Sequence, residues 1–212
     1  MEELHITVPR TARYHAIGDP SSAAVIWIVL HGYGGLARFF LNQFEGLELD
    51  KYIVAPEGLS RFYLDKAHTR VGAAWMTRED REYEMADQLT HLDQLATHVS
   101  AQCPAGIPIN CLGFSQGVAT ACRWAANGNT TVKRLVLWGG SMPPELDNDK
   151  LLDHWRELHV DLVHGDGDDI VPESVLLQSQ AKLRAANVSF GTTIFNGAHE
   201  LEKVTLQRMV TW

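Results

Sequence analysis

The sequence predicts a doubly wound α/β fold: a mostly parallel sheet with an antiparallel N-terminal edge, covered by helices on both faces. Three observations carry that prediction. Ala23–Leu30 (AAVIWIVL) is apolar at every position and rich in β-branched residues, as a strand covered on both faces must be. Runs of the same kind recur along the chain. Amphipathic stretches lie between them, and strands that alternate with helices require right-handed crossovers.

Taken in order, Leu4–Val8 and Arg13–Ile17 are short and partly alternating, and are expected to form an antiparallel hairpin at the sheet edge. Ala23–Leu30 then opens the parallel region and stops at a glycine cluster. Further buried strands are expected at Tyr52–Ala55, Ile107–Leu112, Arg134–Trp138, Val160–Val163 and Val188–Phe195. The clearest helix runs from about Arg81 to Gln102. Its apolar positions Met85, Leu89, Leu92, Leu95, Ala96 and Val99 follow steps of three and four and so form one stripe. Gln116–Asn127 is a second helix, ended by Asn127-Gly128. Pro172–Ala186 is a third, with proline in its first turn, and Leu201–Val210 is the last. Pro56–Arg81 is a long, aromatic and basic connection.

Composition narrows the function. The 212 residues fit one domain, taken as 1–212, without repeats or linkers. The formal net charge is −8 and no Lys/Arg run exceeds two residues, which argues against a nucleic-acid or anionic-membrane surface. The longest apolar run, Ala23–Leu30, has eight residues, whereas a membrane helix needs about 20. The acidic MEELHITVPR start has no apolar core of a secretory signal. Three irregularly spaced cysteines, Cys103, Cys111 and Cys122, fit free thiols in a reducing compartment. A cytoplasmic protein is therefore expected. Self-association, a homodimer included, is left open.

In an open parallel sheet the chemistry sits in loops at the carboxyl ends of the strands. Ile107–Leu112 runs into Gly113-Phe114-Ser115-Gln116-Gly117, followed by a helix. This is G-x-S-x-G between a strand and a helix, the context of a nucleophile elbow. The sharp reversal strains the serine backbone, and Gly113 and Gly117 remove side chains that would collide. Ser115 is the candidate nucleophile, and the Gln116 N–H points where an oxyanion would form. The bland reading is a tight turn with a capping serine. The first parallel strand ends in His31-Gly32-Tyr33-Gly34-Gly35. Its glycines let backbone approach a substrate carbonyl, so the Tyr33 N–H is the second candidate donor. His31 is expected to shape this loop rather than act as a base. The loop lacks the G-x-G-x-x-G spacing of a dinucleotide site.

A serine nucleophile needs a histidine, and the histidine a carboxylate, in the chain order Ser, Asp/Glu, His. Downstream of His154 stand His159, His164 and His199. His159 lies before a strand, and His164 precedes every good carboxylate of its own loop. His199 lies after a strand, at the correct sheet edge, and is the candidate base. The loop His164-Gly165-Asp166-Gly167-Asp168-Asp169 offers three carboxylates. Asp168, deep in the turn, is preferred; Asp169 competes, and Asp166 is expected to bond amides within the turn. A calcium loop starting at Asp166 would need Glu at its twelfth position, where Leu177 stands. No His/Cys pair has zinc-ligand spacing. Neither a metal nor a cofactor is expected.

HGYGG, GFSQG, HGDGDDIVP and NGAHE, in that order, resemble the phospholipase/carboxylesterase group of α/β-hydrolases, which includes carboxylesterases and acyl-protein thioesterases. The resemblance spans about Ile26 to the C-terminus. It implies the α/β-hydrolase fold, Ser115 as nucleophile, Asp168 as orienting acid, His199 as base, and the Tyr33 and Gln116 amides as oxyanion donors; with 212 residues no cap domain is expected. The chain departs from the group in two places. Asp169 stands where members carry proline, and Val118 replaces the second glycine of GFSQGG. The resemblance also points to Trp75 as a substrate-facing tryptophan and to the Gly139–Pro143 loop, with Met142, beside the acyl group. Tyr63, with Phe62 and Met76, is a further candidate pocket wall. The expected activity is hydrolysis of small or single-chain carboxylic esters or thioesters in a shallow groove. The alternatives are a non-catalytic binding protein of the same fold, or a triad enzyme with peptidase or acyltransferase activity.

Overall fold

A computed structural model describes residues 2–146, 155 and 157–211. Nine strands are present among them. β1 (Tyr14–Ile17), β2 (Val25–Leu30), β3 (Lys51–Pro56), β6 (Ile109–Phe114), β7 (Val132–Trp138), β8 (His159–Gly165) and β9 (Phe190–Phe195) form one sheet in the order β1-β3-β2-β6-β7-β8-β9. β1 runs antiparallel to β3, with Tyr14 opposite Pro56, and all other pairings in this sheet are parallel. β4 (Ser60–Tyr63) and β5 (Val71–Ala74) form a separate antiparallel pair. The helices are α1 (Ala37–Leu41), α2 (Arg81–Ser100), α3 (Gln116–Asn127), α4 (Glu173–Ala185) and α5 (Lys203–Val210).

The alternation of a strand's side chains explains why β2 is apolar throughout. Ile26, Ile28 and Leu30 join a core that holds Leu92, Leu95 and Val99 of α2 and Leu176 and Leu183 of α4. Trp27 and Val29 point the other way, into a core with Leu41 of α1 and Leu206 and Met209 of α5. Each face of the sheet therefore has its own hydrophobic layer, as a doubly wound fold demands. Among the described residues no helix is long and apolar enough to cross a membrane. No described element forms a cap over the sheet's carboxyl edge.

Two expectations need correction. Leu4–Val8 is not a strand, and Leu4, Ile6 and Val8 are 77%, 84% and 66% exposed. Alternation there is a pattern without a face to bury. β1 pairs instead with the edge of β3, whose free backbone groups lie over an existing core. The antiparallel edge is thus real, with a different partner. Pro56–Arg81 is likewise no plain connection, because it contains the β4–β5 hairpin. Helix α1, directly after the HGYGG loop, is a further element with no sign in the sequence pattern; five residues are too few to display a helical period.

Candidate active site

The sheet order reverses between β3 on one side of β2 and β6 on the other. Such a switch point opens a crevice at the strands' carboxyl ends. The β2 and β6 loops meet there, since Leu30 pairs with Gly113.

Ser115 connects β6 to α3 with φ 53° and ψ −117°, a strained conformation for a residue with a β-carbon. Close packing enforces it. A β-carbon on Gly113 would lie 2.5 Å from the Gly117 carbonyl oxygen, and one on Gly117 would lie 2.4 Å from that of Leu30. Glycine at both positions lets strand and helix cross where the sharp turn requires. The Ser115 N–H donates to Trp138 O at 2.9 Å, anchoring the turn to β7. The Gln116 side chain fastens the elbow to the neighbouring loop: its Oε1 accepts from Trp75 N–H at 3.0 Å, and its Nε2 donates to Met76 O at 2.8 Å.

His31 is buried, and both ring nitrogens serve the loop. Nε2 accepts from Gly58 N–H at 3.0 Å, so Nδ1 carries the proton and donates to Gly32 O at 2.7 Å. Burial pushes its ionisation below the ordinary histidine value. A ring so engaged cannot also accept a serine proton, in line with the loop-shaping role expected of it. The same loop pairs with β5: Gly34 N–H donates to Ala73 O at 2.9 Å and Ala73 N–H to Gly35 O at 3.1 Å. The unforeseen hairpin therefore buttresses the loop that presents Tyr33. The N–H groups of Tyr33 and Gln116 donate to no partner among the described residues.

β8 and β9 bring two further loops together. Asp168 Oδ2 and His199 Nδ1 are 2.7 Å apart, with the Asp168 side chain 1% exposed and that of His199 10%. The other oxygen, Oδ1, accepts from Val171 N–H at 2.8 Å and Ile170 N–H at 3.0 Å. Burial pushes the Asp168 ionisation up, but these amides and the imidazole outweigh it and hold the carboxyl below its ordinary value. Asp169 is exposed and makes no hydrogen bond to His199. Asp166 bonds outside its own turn, accepting from Gly197 N–H at 3.1 Å and from Asn196 Nδ2 at 3.2 Å, which ties the two loops together. The His199 ring lies 4.9 Å from the ring of Phe114, the residue before Ser115. The Ser115 hydroxyl makes no hydrogen bond among the described residues, so the Asp168–His199 pair is formed and the Ser115–His199 link is open.

A solvent-open cleft of about 400 Å³ lies beside His199 and the Gly32–Tyr33 backbone. Its apolar walls are Leu36, Phe39 and Phe40 from the α1 segment, with Phe114 and Leu201. None of the three side chains expected to contact substrate is among the residues lining it. Trp75 is 1% exposed, packs in the core, and spends its indole N–H on His31 O at 2.8 Å. Met142 is buried in the same core. Tyr63 is exposed and stacks on His68, with ring centroids 4.4 Å apart. Burial of Trp75 and Met142 is the more favourable use of large apolar side chains beneath a loop. The walls of this cleft come largely from LARFFL, immediately after HGYGG.

Metal-binding groups converge at one place among the described residues, where Glu3, His5 and Asp80 offer atoms within 4.8 Å of one another. All three are exposed, and His5 Nε2 and Asp80 Oδ1 already form a hydrogen bond at 3.1 Å.

The Phospholipase/Carboxylesterase family model matches residues 13–212. No curated protein matches the sequence. Among solved structures, Zea mays acyl-protein thioesterase 2 is similar over 95% of this chain and 97% of its own, at 22% identity and a TM-score of 0.73. A Bacillus cereus carboxylesterase is similar over 95% of this chain and 92% of its own, at 16% identity and a TM-score of 0.70. At such identities the likeness speaks for the fold. Family match and shared architecture agree: the chain belongs to the phospholipase/carboxylesterase family of α/β-hydrolases.

Proposed function

We propose that this protein is a serine hydrolase of carboxylic esters or thioesters, acting through Ser115, His199 and Asp168. The observation that carries the reading is the 2.7 Å Asp168–His199 pair at the same sheet edge as a strained Ser115. Ser115 Oγ attacks the substrate carbonyl as its proton passes to His199 Nε2. The N–H groups of Tyr33 and Gln116 hold the resulting oxyanion. The carbon–heteroatom bond then breaks, and His199 returns the proton to the departing alcohol or thiol. Water attacks the acyl-enzyme through the same base and regenerates Ser115. Asp168 fixes the His199 tautomer and stabilises the imidazolium; it does not take the proton. The open Ser115–His199 link tightens when substrate is bound, as catalytic hydrogen bonds commonly do. Every step in this scheme is served by protein groups, the substrate and water, so it calls on neither cofactor nor metal. The domain acts as a unit over residues 1–212, in the cytoplasm, on small-molecule substrates.

A fluorophosphonate probe tests the reading. The expected result is phosphonylation at Ser115, abolished in Ser115→Ala, together with hydrolysis of p-nitrophenyl butyrate. An unlabelled Ser115 in folded protein is the result that favours a non-catalytic binding protein. Cleavage of peptide amides at rates near those of esters would point instead to a peptidase.

A further inference from the structure

The cleft beside His199 has a chemical position as well as a shape. Four groups surround the tetrahedral carbon formed on Ser115: Oγ, the oxyanion, the acyl chain and the leaving heteroatom. The oxyanion belongs at the Tyr33 and Gln116 amides. The leaving heteroatom must lie within hydrogen-bond reach of the His199 Nε2 proton, because that proton goes to it. The leaving group therefore extends along the imidazole's side of the site, and the acyl chain takes the remaining direction. The cleft lies on the imidazole's side: His199 and Leu201 line it together with the α1 segment and the His31–Gly35 loop. Two of its lining residues adjoin the nucleophile: Phe114 precedes Ser115 in the chain, and a β-carbon on Gly32 would lie 3.1 Å from Ser115 Cβ.

Resting on the reading of Ser115 as nucleophile, we propose that this cleft binds the alcohol or thiol portion of the substrate and selects a bulky apolar one, best filled by an aryl ring. Its volume, about 400 Å³, lies in the range of small-molecule pockets. Its lining includes three phenylalanine rings, Phe39, Phe40 and Phe114, beside the polar Gln43 and Glu200. Phe40 sits 6.1 Å from Phe114 in a stacked arrangement and 5.6 Å from Phe44 edge-on, which fixes its position. Phe39 stands half-exposed at the rim under the Arg38 guanidinium, 4.4 Å from its ring centroid. A planar ring entering between Phe39, Phe40 and Phe114 gains offset-stacking contacts as well as apolar burial. A methyl or ethyl group leaves most of this surface wet.

The test compares acetates of benzyl alcohol and of ethanol, which share an acyl group and differ little in intrinsic reactivity. It adds a series from ethyl acetate to ethyl octanoate, and fluorophosphonate labelling of each protein. The expected kcat/KM for benzyl acetate exceeds that for ethyl acetate by about 100-fold, since pocket discrimination runs at roughly 10–200-fold per methylene-sized group. Phe39→Ala, at an exposed position that folding tolerates, and Phe40→Leu, which keeps the core filled, should each lower the benzyl-to-ethyl ratio by about tenfold. Labelled protein whose benzyl-to-ethyl ratio ignores both substitutions, while its octanoate-to-acetate ratio collapses, overturns the proposal and makes the cleft the acyl site. Absence of labelling at Ser115 overturns the underlying mechanism, and this assignment with it.

Discussion

Asp168 gives both carboxylate oxygens to defined partners, one to the His199 ring and one to the Val171 and Ile170 amides, whereas its neighbour Asp169 faces solvent. Replacement of Asp168 by Asn presents an amide where the ring needs an anion, and the imidazole adopts the wrong tautomer. The expected loss in kcat for Asp168→Asn is about 10⁴-fold, as in comparable triads. Asp169→Asn removes only an exposed charge and should stay within about twofold of the parent. Steady-state kinetics on p-nitrophenyl butyrate checks the ranking, and the reverse order would exchange the two roles. At this scale the sequence carries residue type, order and loop, which is enough to nominate Ser115, Asp168 and His199. It carries side-chain direction poorly. Trp75 and Met142 turn into the core, and Tyr63 turns to solvent, because neither a loop nor a four-residue strand gives a periodic sign of which way a large side chain faces.

Among the elements, the β4–β5 hairpin and α1 were the least visible in the sequence, and both meet at one buried carboxylate. Glu57 has a fully buried side chain and accepts from Arg61 Nε at 2.6 Å, from Arg13 Nη2 at 2.6 Å and from Ala37 N–H, at the start of α1, at 3.3 Å. It thereby joins the segment entering β1, the start of the hairpin and the helix that walls the cleft. Strands β2, β6, β7 and β8 were legible because each is largely buried on both faces, so apolar residues dominate them. A four-residue hairpin strand and a five-residue helix are too short for periodicity, and their positions follow from a tertiary ion pair instead. Burial pushes the Glu57 ionisation up, but the guanidinium groups of Arg61 and Arg13 outweigh it and hold the carboxyl below its ordinary value. Because the folded-state value is depressed, Glu57 stabilises fully above the ordinary glutamate pKa, about 4.3. That contribution is lost as pH falls through the folded-state value. Removing one partner of a buried pair costs about 3–5 kcal/mol, and the partial exposure of Arg13 and Arg61 reduces this to about 2 kcal/mol for Glu57→Gln at neutral pH. Urea denaturation from pH 7 to pH 3 checks the sign: the gap between parent and variant should narrow below about pH 4.3. A gap that widens in acid would remove Glu57 from this role.

The whole molecule has two hydrophobic layers on one sheet, and that arrangement determines how it should come apart. Ile28 and Leu112 are both fully buried, Ile28 in the layer under α2 and α4 and Leu112 in the layer under α1 and α5. They stand on adjacent strands, since Val29, the residue after Ile28, pairs with Leu112. Neither layer can open without exposing one face of the same β2–β6 ladder, and the backbone hydrogen bonds of that ladder serve both faces at once. Loss of one layer therefore leaves the other without a sheet to pack against. The expectation of a single domain becomes a thermodynamic statement: one cooperative transition, although the cores are distinct. Ile28→Ala and Leu112→Ala should each cost about 2–5 kcal/mol. Each should shift the same denaturant midpoint without changing the slope of the transition. Tryptophan fluorescence and far-UV circular dichroism are informative probes here, because Trp27 and Trp138 lie in one layer and Trp75 and Trp124 in the other. Coincident curves in both variants are the expected outcome. Separate transitions, with each substitution moving only one of them, would divide the molecule into two folding units and end the single-domain description.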